Sequence, residues 1–372
     1  MKTIDNCSIR SLVMAVALSI GLGFVTHASA QFEEHSYLID LKAKTGTDLG
    51  EVQANAINDA GQVAGASSTA GGISRAFVTG PNGAGMIELG TLPGGDHSYA
   101  TSINDAGQVA GYSYMADGTR QAFITGPNGM GMRALGTGGN STAPGPNNTG
   151  INNAGQVAGT SDGRAFITGP NGLGMRDLGS LGGGTSWAYG INDAGQVVGW
   201  SYRYGGGAHA FITGPNGVGM TELGTLSYSA FGINDTGQVV GYFGSPLQGF
   251  ITGPNGVGLT ELGRLTPGGQ SIPNAINDAG QVVGWSHTVD GRQHAFITGP
   301  NGAGMTDLNS LVHLPHGALM DNALAINNMG QVLVTATIPE PESYALMLAG
   351  LLLTGVMVRR KQKADRQGVS SL

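Results

Sequence analysis

Two series of carboxylates recur through this 372-residue chain at fixed places in a repeated pattern. The first comprises Asp59, Asp105, Asp193, Asp235 and Asp278, with Asn153 and Asn328 at the same place in two further copies. Hard cations take several such oxygens at short range. Tandem calcium repeats, however, bring ligands about every nine residues, and here the period exceeds 40. With one turn per unit these groups are expected to stand well apart, each an Asx turn capping its own hairpin. The second series precedes Leu: Asp40, Glu88, Asp177, Glu222, Glu261 and Asp307, with Ala134 as the exception. Paired carboxylates do acid–base work on sugars. A series without a unique pair instead reads as solvated outer-strand charge that discourages edge pairing.

Other chemistry is sparse. His35, His97, His209, His287, His294, His313 and His316 show no helical metal-ligand spacing, and His313 and His316 flank Pro315 in a loop. No Gly-x-Ser-x-Gly elbow occurs, and no glycine cluster joins a long strand to a helix. No catalytic residue, metal site or cofactor is therefore expected. One aromatic series stands out. A glycine of the repeat is followed by Ala66, Tyr112, Thr160, Trp200, Tyr242 or Trp285, with Thr335 in the last copy. Such rings fill the wedge between packed sheets or stack on sugars. Packing is the main expectation, and Tyr112, Trp200, Tyr242 and Trp285 are the candidate glycan contacts.

What positions these residues is a repeat. Ile-Asn-Asp/Asn-x-Gly-Gln-Val starts at Ile57, Ile103, Ile151, Ile191, Ile233, Ile276 and Ile326, at spacings of 46, 48, 40, 42, 43 and 50 residues. A period in this range means stacked supersecondary units. In the unit at 188–224, the spacing predicts strands at 188–191, 196–201, 209–213 and 220–224, rich in β-branched and aromatic residues. Gly195 suits the left-handed place of a tight hairpin. Gly214-Pro215-Asn216-Gly217 is a turn. Nothing in the unit has helical period.

Four short strands in about 40 residues match a β-propeller blade. The first two strands occur seven times. The third occurs six times, at Phe77, Phe123, Phe166, Phe211, Phe250 and Phe296. The fourth follows an anchor six times, ending at Leu89, Leu135, Leu178, Leu223, Leu262 and Leu308. A stray copy of the fourth, Tyr37 to Leu41, precedes all the anchors. The expected fold is all-β: a seven-bladed propeller of four-stranded blades. The last blade is expected to have three strands and to be completed by the N-terminal strand. An open β-solenoid is the alternative. Closure removes exposed sheet edges.

Residues 31–337 form the repeat region. Between 31 and 338 ten lysines and arginines face twenty aspartates and glutamates, and Lys42 and Lys44 are the only lysines. With no basic patch to neutralise phosphates, nucleic acid is not an expected partner. The 67 glycines fall at turns rather than in low-complexity tracts.

The ends read as sorting elements. Residues 1–30 combine Lys2 and Arg10, an apolar run from Leu12 to Val25 and Ala28-Ser29-Ala30 before Gln31, the layout of a secretory signal cut by signal peptidase. Cys7 is the only cysteine, so the mature chain would hold no disulfide. Pro339-Glu340-Pro341 precedes the apolar run 344–358, a short expected transmembrane helix. A basic cluster, Arg359, Arg360, Lys361, Lys363 and Arg366, follows, and then a polar tail at 367–372. The cluster favours the cytoplasmic side, and the run is short for a span.

Two resemblances fit these parts. The repeats resemble the extracellular HAF family, through His209-Ala210-Phe211, His294-Ala295-Phe296, Asp177-Leu178-Gly179 and the anchors. Elsewhere the first place holds Arg75, Gln121, Arg164 or Gln248, and Ile-Thr stands where the family often has Leu-Trp. That resemblance implies an exported repeat protein and no known reaction. Residues 338–366 resemble the PEP-CTERM sorting signal, with Ile338 in place of the usual Val. It implies an exosortase-type enzyme, a transient stay in the inner membrane and delivery to the outer surface or extracellular polymer of a Gram-negative bacterium. The expected role is a structural or binding module. A lectin-like binder of extracellular polysaccharide is the alternative, and a propeller glycan hydrolase or lyase a more distant one. Mass spectrometry of the exported protein should find it ending near Pro341. Recovery of residues Gln367 to Leu372 from that form would leave a simple tail anchor instead.

Overall fold

The computed structural model describes residues 33–69, 71–136, 141–142, 150–224, 228–339 and 349–360. Two units are distinguished: Glu34–Thr337, and the chain ends Met1–Glu33 with Ile338–Leu372. The first holds seven four-stranded sheets, each antiparallel and each the blade of a β-propeller. Blade 4 shows the plan. Its strands Gly182–Ile191, Val197–Arg203, Ala208–Thr213 and Met220–Glu222 pair in chain order, from the innermost outward.

The core lies between blades. Ala76 and Val78 of blade 1 pack with Ala100, Ile103 and Phe123 of blade 2, and the same arrangement recurs around the molecule. All six third-strand phenylalanines are buried. The Ile-Thr dipeptide that follows Phe, Val-Thr in blade 1, has its own reason. Thr79, Thr125, Thr168, Thr213, Thr252 and Thr298 each accept, through Oγ1, the first N–H of the second strand at 2.8–2.9 Å. A polar side chain thus satisfies a buried backbone donor at the strand end.

The turns follow the sequence expectation. The anchor glycines Gly61, Gly107, Gly155, Gly195, Gly237, Gly280 and Gly330 all have φ between 72° and 83°. The asparagines of the six Pro-Asn-Gly turns sit at φ of 52–56°, the left-handed region that Asn tolerates. A different demand fixes Gly65, Gly111, Gly199, Gly241 and Gly284. A Cβ there would lie 1.9–2.1 Å from a carbonyl oxygen of the inner strand.

Closure differs from expectation. The seventh sheet has four strands, the first two and the last two of the propeller, in the order Thr45–Gly50, Glu33–Asp40, Gln331–Ile338, Leu319–Ile326. The segment from Tyr37 is therefore a third strand and not a fourth. His35-Ser36-Tyr37 stands where the other blades have His-Ala-Phe, and Tyr37 is buried like their phenylalanines. Asp48-Leu49-Gly50 is the true fourth-strand block. Leu38 joins a seam cluster with Ile57 and Phe77 of blade 1 and Leu324 and Leu333 of blade 7. A ring closed this way excludes the open solenoid.

In the other unit residues 349–360 form an exposed helix. Twelve residues span about 18 Å at 1.5 Å each. Among the described residues no helix is long and apolar enough to cross a membrane. Of the expected span at 344–358, residues 349–358 belong to this helix and 344–348 lie outside the described residues. Ala28, Ala30, Gln31, Glu340 and Pro341 lie outside the described residues.

The seam gives a test. Tyr37→Ala empties a buried aromatic site and should cost about 3–5 kcal/mol, the range for aromatic-to-alanine changes in a core. Urea unfolding measures it. An unchanged midpoint would mean that the N-terminal strands are not part of the fold.

Candidate functional site

Three polar belts surround the axis where the anchor turns converge. The Asn of each anchor builds the first. Asn58 Oδ1 accepts the Gln62 N–H at 2.9 Å, and its Nδ2 donates both to Gln62 Oε1 and to the Asn104 carbonyl of the next blade. The inter-blade bond repeats from Asn104 to Asn152, Asn192, Asn234, Asn277 and Asn327, and Asn327 returns it to Asn58, at 2.9–3.3 Å. All seven asparagines are buried.

The first carboxylate series builds the second belt. Each of Asp105, Asn153, Asp193, Asp235, Asp278, Asn328 and Asp59 accepts, through Oδ1, the backbone N–H of its counterpart in the preceding blade at 2.8–3.0 Å. These groups were expected to stand apart and to cap their own hairpins. They meet around the axis and link neighbours, because the inner strands all end there. The cap within each hairpin is the Asn one residue earlier. Together the two belts ring a cavity of 140 Å³. A third belt adds Gln108, Gln156, Gln196, Gln238 and Gln331, whose Nε2 donates to the Pro-Asn-Gly asparagine of the next blade.

The two amides of the second belt relieve its charge. Asn153 Nδ2 donates to Asp105 and Asp193, and Asn328 Nδ2 to Asp59 and Asp278. Asp235 alone has an aspartate on both sides. Asp235 is exposed on one side, but crowding by its belt neighbours partly desolvates it, and this, with the charges of Asp193, Asp278 and Asp105, holds its pKa above the usual carboxylate range, against the hydrogen bond from Asp193.

The aromatic series lies toward the opposite face. The first-to-second and third-to-fourth turns share the belt face, since Gly83 N–H of one reaches the Gly61 carbonyl of the other. The second-to-third loops, such as 204–207, are therefore at the far end of the blades. Tyr112, Trp200, Tyr242 and Trp285 are half-buried there. Two have an aromatic partner across the strand, which sequence reasoning missed. Tyr99 stacks on Tyr112 with centroids 5.2 Å apart, and Trp187 on Trp200 at 4.0 Å. Trp285 packs edgewise on His287. The expectation that these rings fill space between strands and blades accounts for part of their surface and leaves part open.

The second carboxylate series also differs from expectation. Asp177, Glu222 and Asp307 pair across the sheet with the residue two places before the third-strand phenylalanine: Arg164 at 2.9 Å, His209 at 2.7 Å and His294 at 2.7 Å. In the seam blade His35 pairs with Asp48 at 3.0 Å. Asp40 belongs elsewhere. Its Oδ1 accepts the N–H groups of Lys42 and Ala43 in the turn after the seam strand. These pairs explain why a basic residue so often precedes Ala-Phe.

No family model matches the sequence, and no curated protein matches it. Solved structures do. The β-propeller domain of the Trilobed protease from Pyrococcus furiosus, described as having an open velcro topology, is 11% identical with a TM-score of 0.53. The match covers 76% of this chain and 91% of that one. A putative TolB from Agrobacterium tumefaciens is 9% identical with a TM-score of 0.48, covering 83% of this chain and 100% of that one. At such identities the likeness shows the fold alone. Here the first two and the last two strands of the propeller share one sheet.

Asp235 yields a test. Because its folded pKa is raised, the folded state holds the proton more tightly than the unfolded chain. Its stabilising contribution is present at low pH and is lost as pH rises from the ordinary carboxylate range through the raised value. Asp235→Asn keeps the Oδ1 acceptor, as Asn153 does, and removes the charge. It should raise the Tm at pH 7, with the gain fading as pH falls to the ordinary carboxylate range. A lower Tm at pH 7 would contradict this account of the belt.

Proposed function

We propose that this chain is an exported, non-catalytic binding module of the cell surface or extracellular matrix. In this reading residues 1–30 direct export and 338–366 are sorted by an exosortase-type system, with Pro339-Glu340-Pro341 as the motif. The observation that carries the binding role is the division of the seven copies. The anchor and Pro-Asn-Gly turns of the belt face are near-identical from blade to blade. The loops at the other end vary in length and sequence, beside half-exposed aromatic residues. Function resides in loops that a rigid scaffold positions, and here the variation and the aromatic surface coincide.

Lectin-like capture of extracellular polysaccharide is the ligand chemistry that the rings favour. Tyrosine and tryptophan offer flat apolar faces with polar edges, which match the C–H face and hydroxyl rim of a pyranose. The acidic balance of the repeats disfavours polyanions. Co-sedimentation of the full chain with extracellular polymer from its own host tests the reading. The chain is expected to pellet with the polymer, several-fold over a polymer-free control. A chain that stays in the supernatant would overturn it.

A further inference from the structure

Sevenfold repetition suggests seven equivalent binding places. The inner strands show otherwise. Each inner strand with continuous described pairing carries a β-bulge at one common place: Asn55, Thr101, Tyr189, Phe231, Asn274 and Leu324. Bulges re-aim a side chain out of the pleat. Here the re-aimed groups reach the axis: Asn55, Phe231, Asn274 and Leu324 line an axial cavity of 30 Å³. In blades 1 and 6 the bulged amide ties the ring together. Asn55 Nδ2 donates to the Ala100 carbonyl, and Asn274 Nδ2 to Asn322 and the Ala323 carbonyl. Tyr189 and Phe231 take the same place in adjacent blades with rings instead.

Those two rings join the outer aromatic series into one arc. Trp187 stacks on Trp200, and Trp200 Nε1–H donates to the Tyr189 hydroxyl at 2.9 Å. Tyr189 lies 5.4 Å from Phe231, and Phe231 lies 5.3 Å from Tyr242. Tyr202, 41% exposed, packs edgewise on Trp200 and leads into the far loop. Blades 1, 3 and 7 offer only Ala66, Thr160 and Thr335 at the outer place. Blade 2 carries a separate cluster of Tyr99, Tyr112 and Tyr114. Among the described residues, only on blades 4 and 5 does the aromatic surface run from one blade to the next, and the bulge place in blades 1 and 6 holds the buried amides Asn55 and Asn274.

We propose that this arc, from Trp187 and Trp200 through Tyr189 to Phe231 and Tyr242, is a single binding site for a neutral pyranose chain. The inference rests on the binding-module reading above and narrows it to one place and one ligand class. A sugar ring needs an apolar face to stack on and polar groups at its rim. The arc supplies successive ring faces together with the Tyr189 and Tyr242 hydroxyls and the Trp187 indole N–H, while the Trp200 N–H holds the Tyr189 hydroxyl in place. The axial cavity itself has room for about one water molecule, so the chain lies across the mouth and does not thread the ring. No basic cluster lies in the arc to take up the charge of a uronic-acid polymer; Arg203 beside it already faces Glu222 at 3.6 Å.

The repeats supply substitutions that the fold already accepts. Trp200→Thr copies Thr160 and Thr335. Phe231→Asn copies Asn55 and Asn274. Trp285→Thr and Tyr112→Thr make the same change outside the arc. Binding of cellohexaose, laminarihexaose, maltohexaose and polygalacturonate to the full chain is measured by calorimetry and by emission of the three tryptophans, after circular dichroism and melting have shown each variant folded. At least one neutral hexaose should bind and shift the emission. Trp200→Thr and Phe231→Asn should each weaken it tenfold or more, and Trp285→Thr and Tyr112→Thr less than twofold. Equal losses from the variants outside the arc would overturn the single site. Binding of polygalacturonate alone would overturn the ligand class. A chain that pellets with host polymer but binds no hexaose would overturn this inference and leave the binding-module reading standing. A chain that does neither removes both.

Discussion

The structure depends on one side chain repeated seven times. The anchor Asn accepts from the Gln N–H of its own turn and donates to the carbonyl of the next blade, so it builds a hairpin and joins it to its neighbour in the same act. Buried amides of this kind are costly when half satisfied, and each here is satisfied only if the next blade is in place. Seven such bonds return to their start, with Asn327 bonded to Asn58 across 269 residues of sequence. The aspartate belt repeats this logic with charge. Its two asparagines break a run of carboxylates that would otherwise repel one another.

That constraint explains what is constant and what is free. The anchor glycines, the Pro-Asn-Gly turns and the strand-end threonines are all tied to the belt face, so they recur with little change. The far loops take part in none of these bonds, and the spacing between anchors ranges from 40 to 50 residues without disturbing them. A scaffold locked at one end and variable at the other suits recognition at the variable end. The glycines at 65, 111, 199, 241 and 284 contribute by letting the inner strand approach closely, beside the place where the aromatic rings emerge.

Much of this fold was legible because the repeat is strict. Blade number, strand order, positive-φ glycines and N-terminal closure follow from counting segments. The seam was misread by one strand. Ser36 and Tyr37 hide the match to Ala-Phe, and Asp48-Leu49-Gly50 has no Pro-Asn-Gly turn before it. The axial convergence of Asp59 and its counterparts was not legible, since spacing along the chain carries no information on how blades meet at an axis. Tyr189 and Phe231 escaped notice for a local reason. A bulge breaks the period-two alternation by which strand faces are read, and the inner strand of blade 4 begins at Gly182, well before the expected residue 188.

The axial belts close the seven blades into one cooperative unit. Native-state hydrogen exchange at the Gln amides that the anchor asparagines accept tests it directly, at Gln62, Gln108, Gln156, Gln196, Gln238, Gln281 and Gln331. All seven should exchange only through global unfolding, with the same opening free energy at Gln62 and Gln331 beside the seam as at Gln196 opposite it. A graded series, with Gln62 and Gln331 opening well below Gln196, would show a ring that opens at its ends and would contradict the account.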